Sequence, residues 1–213
     1  MNWRGVSGKG EMPTRATAII CAVRNHGETG TIVRALTTEH GLIAGYVRGG
    51  RSRVMRPVLI PSNVVDATWK FRGGAQLASL SVELIQSRAP LMAEPLAASA
   101  LDWVTALAAA TLPEGHPYPQ LYLALDGVLA AIEAAPAARG WSAALARYEQ
   151  LLLVTLGYGE GLTVTDMPSG WDQTLPLLAA NGSRIERHLL GGRRLDVMAA
   201  RGRLIDRLKR AVA

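Results

Sequence analysis

Hydrophobic positions in this chain recur with period two up to about residue 86 and with period 3.6 beyond Pro90. The first rhythm predicts strands at 16–23, 31–37, 42–48, 63–72 and 77–86. Turn signals separate them: Asn25-His26-Gly27, His40-Gly41, Gly49-Gly50, Pro61-Ser62 and Gly73-Gly74. In the fourth strand Val65, Ala67, Trp69 and Phe71 share one face, which places Trp69 and Phe71 in a core; Val64, Asp66, Thr68, Lys70 and Arg72 share the other. In the fifth, Ala78, Leu80, Val82 and Leu84 oppose Ser79, Ser81 and Glu83. Alternation with one polar face predicts an antiparallel sheet wetted on one side. Five such strands suit a small closed barrel, and the OB-fold is the five-stranded barrel that binds oligonucleotides.

The second rhythm predicts helices. Leu96, Ala100, Trp103, Val104 and Leu107 mark one over 95–111; Leu121, Leu125, Val128, Leu129 and Ile132 mark another over 120–135. A third runs over 142–156 with Leu145, Tyr148, Leu152 and Leu156 on one stripe, and stops at Gly157. Pro168, Gly170 and Gly182 punctuate 160–183, which reads as loop or short elements. A last helix starts near Leu195, with Ile205, Leu208 and Val212 facing in and Arg203, Arg207 and Arg210 facing out. The expected architecture is α+β: an N-terminal five-stranded OB-fold β-barrel over 14–87, then an all-α helical domain over 88–213, with 1–13 a disordered extension.

Charge changes this picture more than composition does. Of the 213 residues 49% are hydrophobic, ample for a core, and the formal net charge is +6. Residues 1–84 carry eleven basic and five acidic side chains, residues 85–182 three and nine, and residues 183–213 nine and three. A basic head, an acidic middle and a basic tail bear on partners rather than on fold. The single cysteine, Cys21, excludes an internal disulfide and a multi-cysteine zinc site, and reads as a small buried hydrophobe. No stretch reads as a membrane span or an export signal, and with a single cysteine the cytoplasm is the default expectation.

The catalytic signatures are missing. There is no phosphate-cradling Gly-Lys-Ser/Thr loop and no Gly-x-Ser-x-Gly elbow; Gly157-Tyr158-Gly159-Glu160-Gly161 follows a helix rather than a strand. His26, His40, His116 and His188 are isolated, and no carboxylate pair stands out. The chain reads as a binding protein without a catalytic, metal or cofactor site. The strongest positive signal is Tyr46-Val47-Arg48-Gly49-Gly50-Arg51-Ser52-Arg53-Val54-Met55-Arg56, where a strand-like run ends in two glycines and a cluster of arginines. Glycines allow close backbone approach and guanidinium forks match phosphate oxygens. With Arg24, Arg34, Lys70 and Arg72, the residues Arg48, Arg51, Arg53 and Arg56 are the candidate phosphate contacts, and Tyr46 is either a stacking platform for a base or a core tyrosine. So few aromatics predict binding led by phosphates, tolerant of sequence and sensitive to salt.

Three blocks resemble the RecO family of bacterial recombination mediators. They are Arg24-Asn25-His26-Gly27-Glu28-Thr29 running to Thr37-Thr38-Glu39-His40-Gly41; Val47-Arg48-Gly49-Gly50-Arg51-Ser52-Arg53; and Arg147-Tyr148-Glu149-x-x-Leu152 ending in Leu156-Gly157-Tyr158-Gly159. The resemblance runs from about Thr14 to Leu162 and implies an OB domain followed by a helical domain without hydrolytic activity. It implies binding of single- and double-stranded DNA, annealing of complementary strands and, with RecR, loading of RecA onto DNA coated by single-strand-binding protein (SSB). Many members carry cysteines after the Leu-Gly-Tyr block, some as a zinc site; Thr163-Val164-Thr165-Asp166-Met167-Pro168 has none, so no zinc is expected. In the family the helical domain receives the acidic, apolar-ended SSB tail, and Arg147 with Tyr148 is the candidate contact here. The alternative is an Arg147 paired with Glu149 or Asp166 and a Tyr148 in the core. Arg203, Arg207 and Arg210 either extend the DNA surface or form a solvated helix face. Two rival readings retain the same residues: a generic OB-fold RNA-binding or ribosome-associated protein, and a non-catalytic interaction adaptor.

Overall fold

The computed structural model describes residues 13–71, 77–135, 137–161, 168, 170–191 and 195–212. The expected disordered extension therefore falls almost entirely outside the described residues, as does Arg72. Five strands, β1 (Thr14–His26), β2 (Gly30–Thr37), β3 (Gly41–Val47), β4 (Val64–Lys70) and β5 (Ala78–Gln86), close into a barrel in the order β1-β2-β3-β5-β4. Closure depends on the length of β1. Its first half, Thr14 to Ile19, pairs with β4, and its second half, Ala18 to His26, pairs with β2. An irregularity between Ile20 and Ala22 bends the strand from one partner to the other, and Ser62 and Asn63 bond to Ile20 at that bend. The seam between β3 and β5 is parallel and short, Gly45 opposite Ala78 and Tyr46 opposite Ser79.

Alternation along β1 builds two cores. Ala18 and Ile20 point into the barrel with Val33, Ala35, Val47, Val65, Ala67, Trp69 and Leu80. Ile19 and Cys21 point outward and pack with Leu36, Leu42 and Val64 against the helices. A strand buried on both faces needs a continuous apolar run, which is what Ala18-Ile19-Ile20-Cys21-Ala22 supplies. Cys21 is buried in this seam, and burial pushes its thiol up to about 12.

The helices are α1 (Pro95–Thr111), α2 (Pro119–Ala134), α3 (Ser142–Thr155), α4 (Trp171–Arg184) and α5 (Leu195–Val212). Proline opens both α1 and α2, where its missing N–H costs no helical hydrogen bond. α1 is the hub: it lies on β1 and against α5 and α2. Two arginines tie the barrel to the helices. Arg88, 1% exposed, donates to the Ser62 carbonyl at 2.6 Å and lies 3.4 Å from Glu133 and 3.9 Å from Asp126 on α2. Arg34 donates to the Ala109 carbonyl at the end of α1 and pairs with Glu114 at 3.1 Å.

Two expectations fail. Residues 160–183 are not confined to loop or short elements, because the 14-residue α4 begins at Trp171, runs through Pro176 and Gly182, and continues as a π-helical turn over Ile185–Leu190. The reason is tertiary. Gly182 faces Arg201 of α5 so closely that a Cβ would sit 2.2 Å from a guanidinium nitrogen, so this glycine makes room for a neighbour and does not end a helix. Phe71 is the second miss: β4 ends at Lys70, and Phe71 lies beyond it, 43% exposed, while Trp69 is fully buried as expected.

Candidate nucleic-acid interface

The site grows from the register of the barrel. Arg24 lies opposite Ile32, Ile32 opposite Tyr46, Tyr46 opposite Ser79, and Ser79 opposite Lys70. Directly opposed residues share a face, so Arg24, Tyr46 and Lys70 stand in one row across the outer wall of the barrel. Tyr46 is half-buried in this row. Its hydroxyl end lies over Gly30, where a Cβ would come within 2.1 Å, and its ring meets His26 edge-on at 6.0 Å. The ring is fixed by packing yet partly open, which is compatible with a stacking role.

Beside that row lies the loop from Arg48 to Leu59. Gly49 takes φ +67, a left-handed turn that favours glycine, while Gly50 is needed for space: a Cβ there would sit 2.5 Å from Thr31 Oγ1. The loop is pinned by backbone bonds, Arg51 N–H to the Thr29 carbonyl at 3.2 Å and Arg56 N–H to the Ser52 carbonyl at 3.0 Å. The guanidinium groups are also steered by carbonyls: Arg51 Nη1 donates to Glu28 at 2.7 Å and Arg56 Nε to Arg51 at 3.2 Å. Arg24, Arg48, Arg51, Arg53 and Arg56 are all exposed, and none takes part in an ion pair among the described residues. Their charge remains available to an anionic partner.

The other predicted residues are placed differently. Arg34 sits on β2 but points to α1 and Glu114, so it braces the barrel against the helices and has little left for a phosphate. Arg203 pairs with Asp102 of α1 at 3.1 Å, Arg210 Nε donates to the Asp206 carbonyl at 3.1 Å, and Arg207 is half-buried. The stripe on α5 is thus partly engaged within the helical half. Tyr148 is corrected: it is 1% exposed inside the helical core, where burial drives its phenol above the usual range, and no peptide can touch it. Arg147, one position earlier on α3, is half-buried.

Glu149, in the most distinctive of the three sequence blocks, is a fully buried carboxylate, and Asp166, the other expected partner of Arg147, lies outside the described residues. It accepts from Trp103 Nε1 at 2.8 Å and from Arg201 Nε and Nη2 at 3.2 and 3.1 Å. Arg201 also donates to the Leu178 carbonyl and lies 5.5 Å from the Trp103 ring centroid. This node joins α1, α3, α4 and α5. Its only signal in the sequence was a Glu on the inward side of a helix, and the partners stand 46 and 52 residues away.

Among the described residues no group of three or more His, Cys, Asp or Glu side chains could hold a metal, and no helix is long and apolar enough to cross a membrane. The fold and this surface define a five-stranded OB-type barrel with one strongly basic end, carried on a helical half. Two family models match the chain: recombination protein O N terminal over residues 12–88 and recombination protein O C terminal over residues 92–163. A DNA repair protein RecO of Rhodospirillum centenum is 33% identical over 238 residues, covering 91% of this chain and 94% of that protein. One of Jannaschia is 34% identical over 245 residues, covering 94% and 98%. One of Gluconacetobacter diazotrophicus is 38% identical over 162 residues, and there the match takes in 75% of this chain but only 64% of the relative. This chain belongs to the RecO family of DNA repair proteins.

Proposed function

We propose that this protein binds single- and double-stranded DNA at the basic end of its barrel, anneals complementary strands and, with RecR, helps to load RecA onto SSB-coated single strands in the cytoplasm. The observation that carries this reading is the set of exposed arginines without carboxylate partners among the described residues, Arg24, Arg48, Arg51, Arg53 and Arg56, beside the row containing Tyr46 and Lys70. Phosphates approach such a surface without displacing an internal ion pair. Neutralising two strands at once lowers their mutual repulsion, and base pairing itself then supplies the sequence match. No bond-breaking chemistry is required. Annealing of two labelled complementary oligonucleotides without ATP, naked and then coated with SSB from the same source, tests the reading. The expected result is annealing in both states; no annealing in either would refute it.

The SSB contact is proposed on the helical half, in a groove of about 300 Å³ between the starts of α3 and α4, lined by Arg139, Ser142, Ala143, Gly170, Trp171 and Thr174. Arg147 lies one helical turn beyond Ala143 on the same face of α3. Two helix N-termini and two arginines suit carboxylates, and Trp171 suits an apolar end group. In this reading Arg139 replaces Tyr148 as the second contact. An SSB tail peptide titrated against Arg139→Ala and Arg147→Ala should bind each several-fold more weakly; wild-type affinity in both would discard the groove.

A further inference from the structure

The loop arginines also border a second feature, the open mouth of the barrel. A cavity of about 180 Å³ there is lined by Val23, Asn25, Thr31, Gly50, Arg51, Arg56 and Leu59. Register explains why these groups converge. Asn25 on β1 lies opposite Thr31 on β2, so both side chains share the interior face, and Val23, two residues earlier, shares it too. Thr31 is 1% exposed, and its hydroxyl is buried without a hydrogen-bond partner among the described residues. Such an orphaned group costs stability unless something binds it. Gly50 lets the loop pack closely against this mouth, since any side chain there would run into Thr31 and Leu59.

The chemistry of the lining is mixed. Val23 and Leu59 are apolar, Asn25 and Thr31 are neutral groups that can both donate and accept, and the two cations are Arg51 and Arg56. A bare phosphate has no use for an apolar wall. A nucleobase uses all three kinds of group: faces for Val23 and Leu59, a donor and acceptor edge for Asn25 and Thr31, and neighbouring phosphates for the arginines. We propose that the barrel mouth accepts one unstacked nucleobase of a single strand, with Arg51 and Arg56 holding the phosphates beside it. The inference rests on the DNA-binding reading and deepens it. A duplex cannot present such a base without opening a pair, so the mouth favours single strands, whereas the outer row grips either form. One captured base also pins the strand while its neighbours stay free to pair.

The test compares the full-length protein on a mixed-sequence single strand and on a strand of equal length made entirely of abasic sites. The wild type should bind the abasic strand about tenfold more weakly. Thr31→Val should narrow that ratio to roughly two- to threefold by weakening only the base-bearing complex. It should also melt no lower than the wild type, because the removed hydroxyl had no partner. Asn25→Ala, an exposed change, should narrow the ratio in the same way. If both variants keep the wild-type ratio, or the wild type binds the two strands equally with its salt dependence intact, the base pocket is overturned and phosphate binding stands. If neither strand binds, both the pocket and the DNA-binding reading fall.

Discussion

The arginine loop after β3 and the Glu149 node of the helical half use the same side chain in opposite surroundings. Arg51 and Arg56 are exposed and, among the described residues, held only by carbonyl oxygens, so their charge is steered but not neutralised. Arg201 is buried at 8% side-chain exposure and meets a carboxylate, a carbonyl and an indole. A guanidinium deep in a core must be paired, and one at a rim need not be. The contrast separates the residues that fold this protein from those that can serve a partner, and it makes separate predictions for each.

The largest effect is expected at the node. Arg201→Met leaves the Glu149 carboxylate buried without its cation and should cost about 3–5 kcal/mol, read from denaturant or thermal unfolding. Glu149→Gln leaves the buried Arg201 guanidinium without its anion and should also destabilise, although the amide oxygen still accepts from Trp103. If Arg201→Met melts like the wild type, the node does not hold the helices together. Next comes Arg88, which is buried while its partners Asp126 and Glu133 remain 46% and 39% exposed at the side chain. Solvent screening discounts those ion pairs, so Arg88→Ala should cost about 2–3 kcal/mol, mainly through the Ser62 carbonyl it leaves unpaired. Arg34→Ala should cost about 1–2 kcal/mol of stability and leave the salt dependence of DNA binding unchanged. A clear loss of salt dependence would move Arg34 into the interface.

The smallest effect concerns Cys21. The folded state raises its thiol from an ordinary value of 9.0 to about 12, so it favours the protonated form. That contribution is whole below pH 9 and is lost progressively as pH rises towards 12. At pH 8 a thiol reagent should label the native protein only as fast as it unfolds, and labelling at the rate of a free cysteine would place Cys21 outside the seam.

Local patterning carried the barrel and α1 to α3 because burial there follows the period of each element: β1 alternates between two cores, and α1 shows one apolar side after an opening proline. It failed where a distant neighbour decides. Gly182 looks like a breaker until Arg201 is laid against it, and Phe71 continues an alternation that β4 itself abandons at Lys70. The candidate site shows the same division. Arg34 and Arg48 are both basic residues in or next to barrel strands, and nothing within a few positions of either says that α1 docks over the first. Tyr148 and Glu149 carried the motif, yet their work is packing and a buried ion pair, and the family signal they supplied is a signal of fold.

The salt dependence of DNA binding tests the central claim most directly. Affinity should be measured across a salt series for the wild type and for the Arg51→Ala, Arg53→Ala double variant, on two unrelated single-stranded sequences. The account predicts weaker binding on both sequences and a plot of log affinity against log salt flatter by about one to two units, as expected for one to two lost phosphate contacts. An unchanged slope would contradict it and remove the arginine loop from the interface.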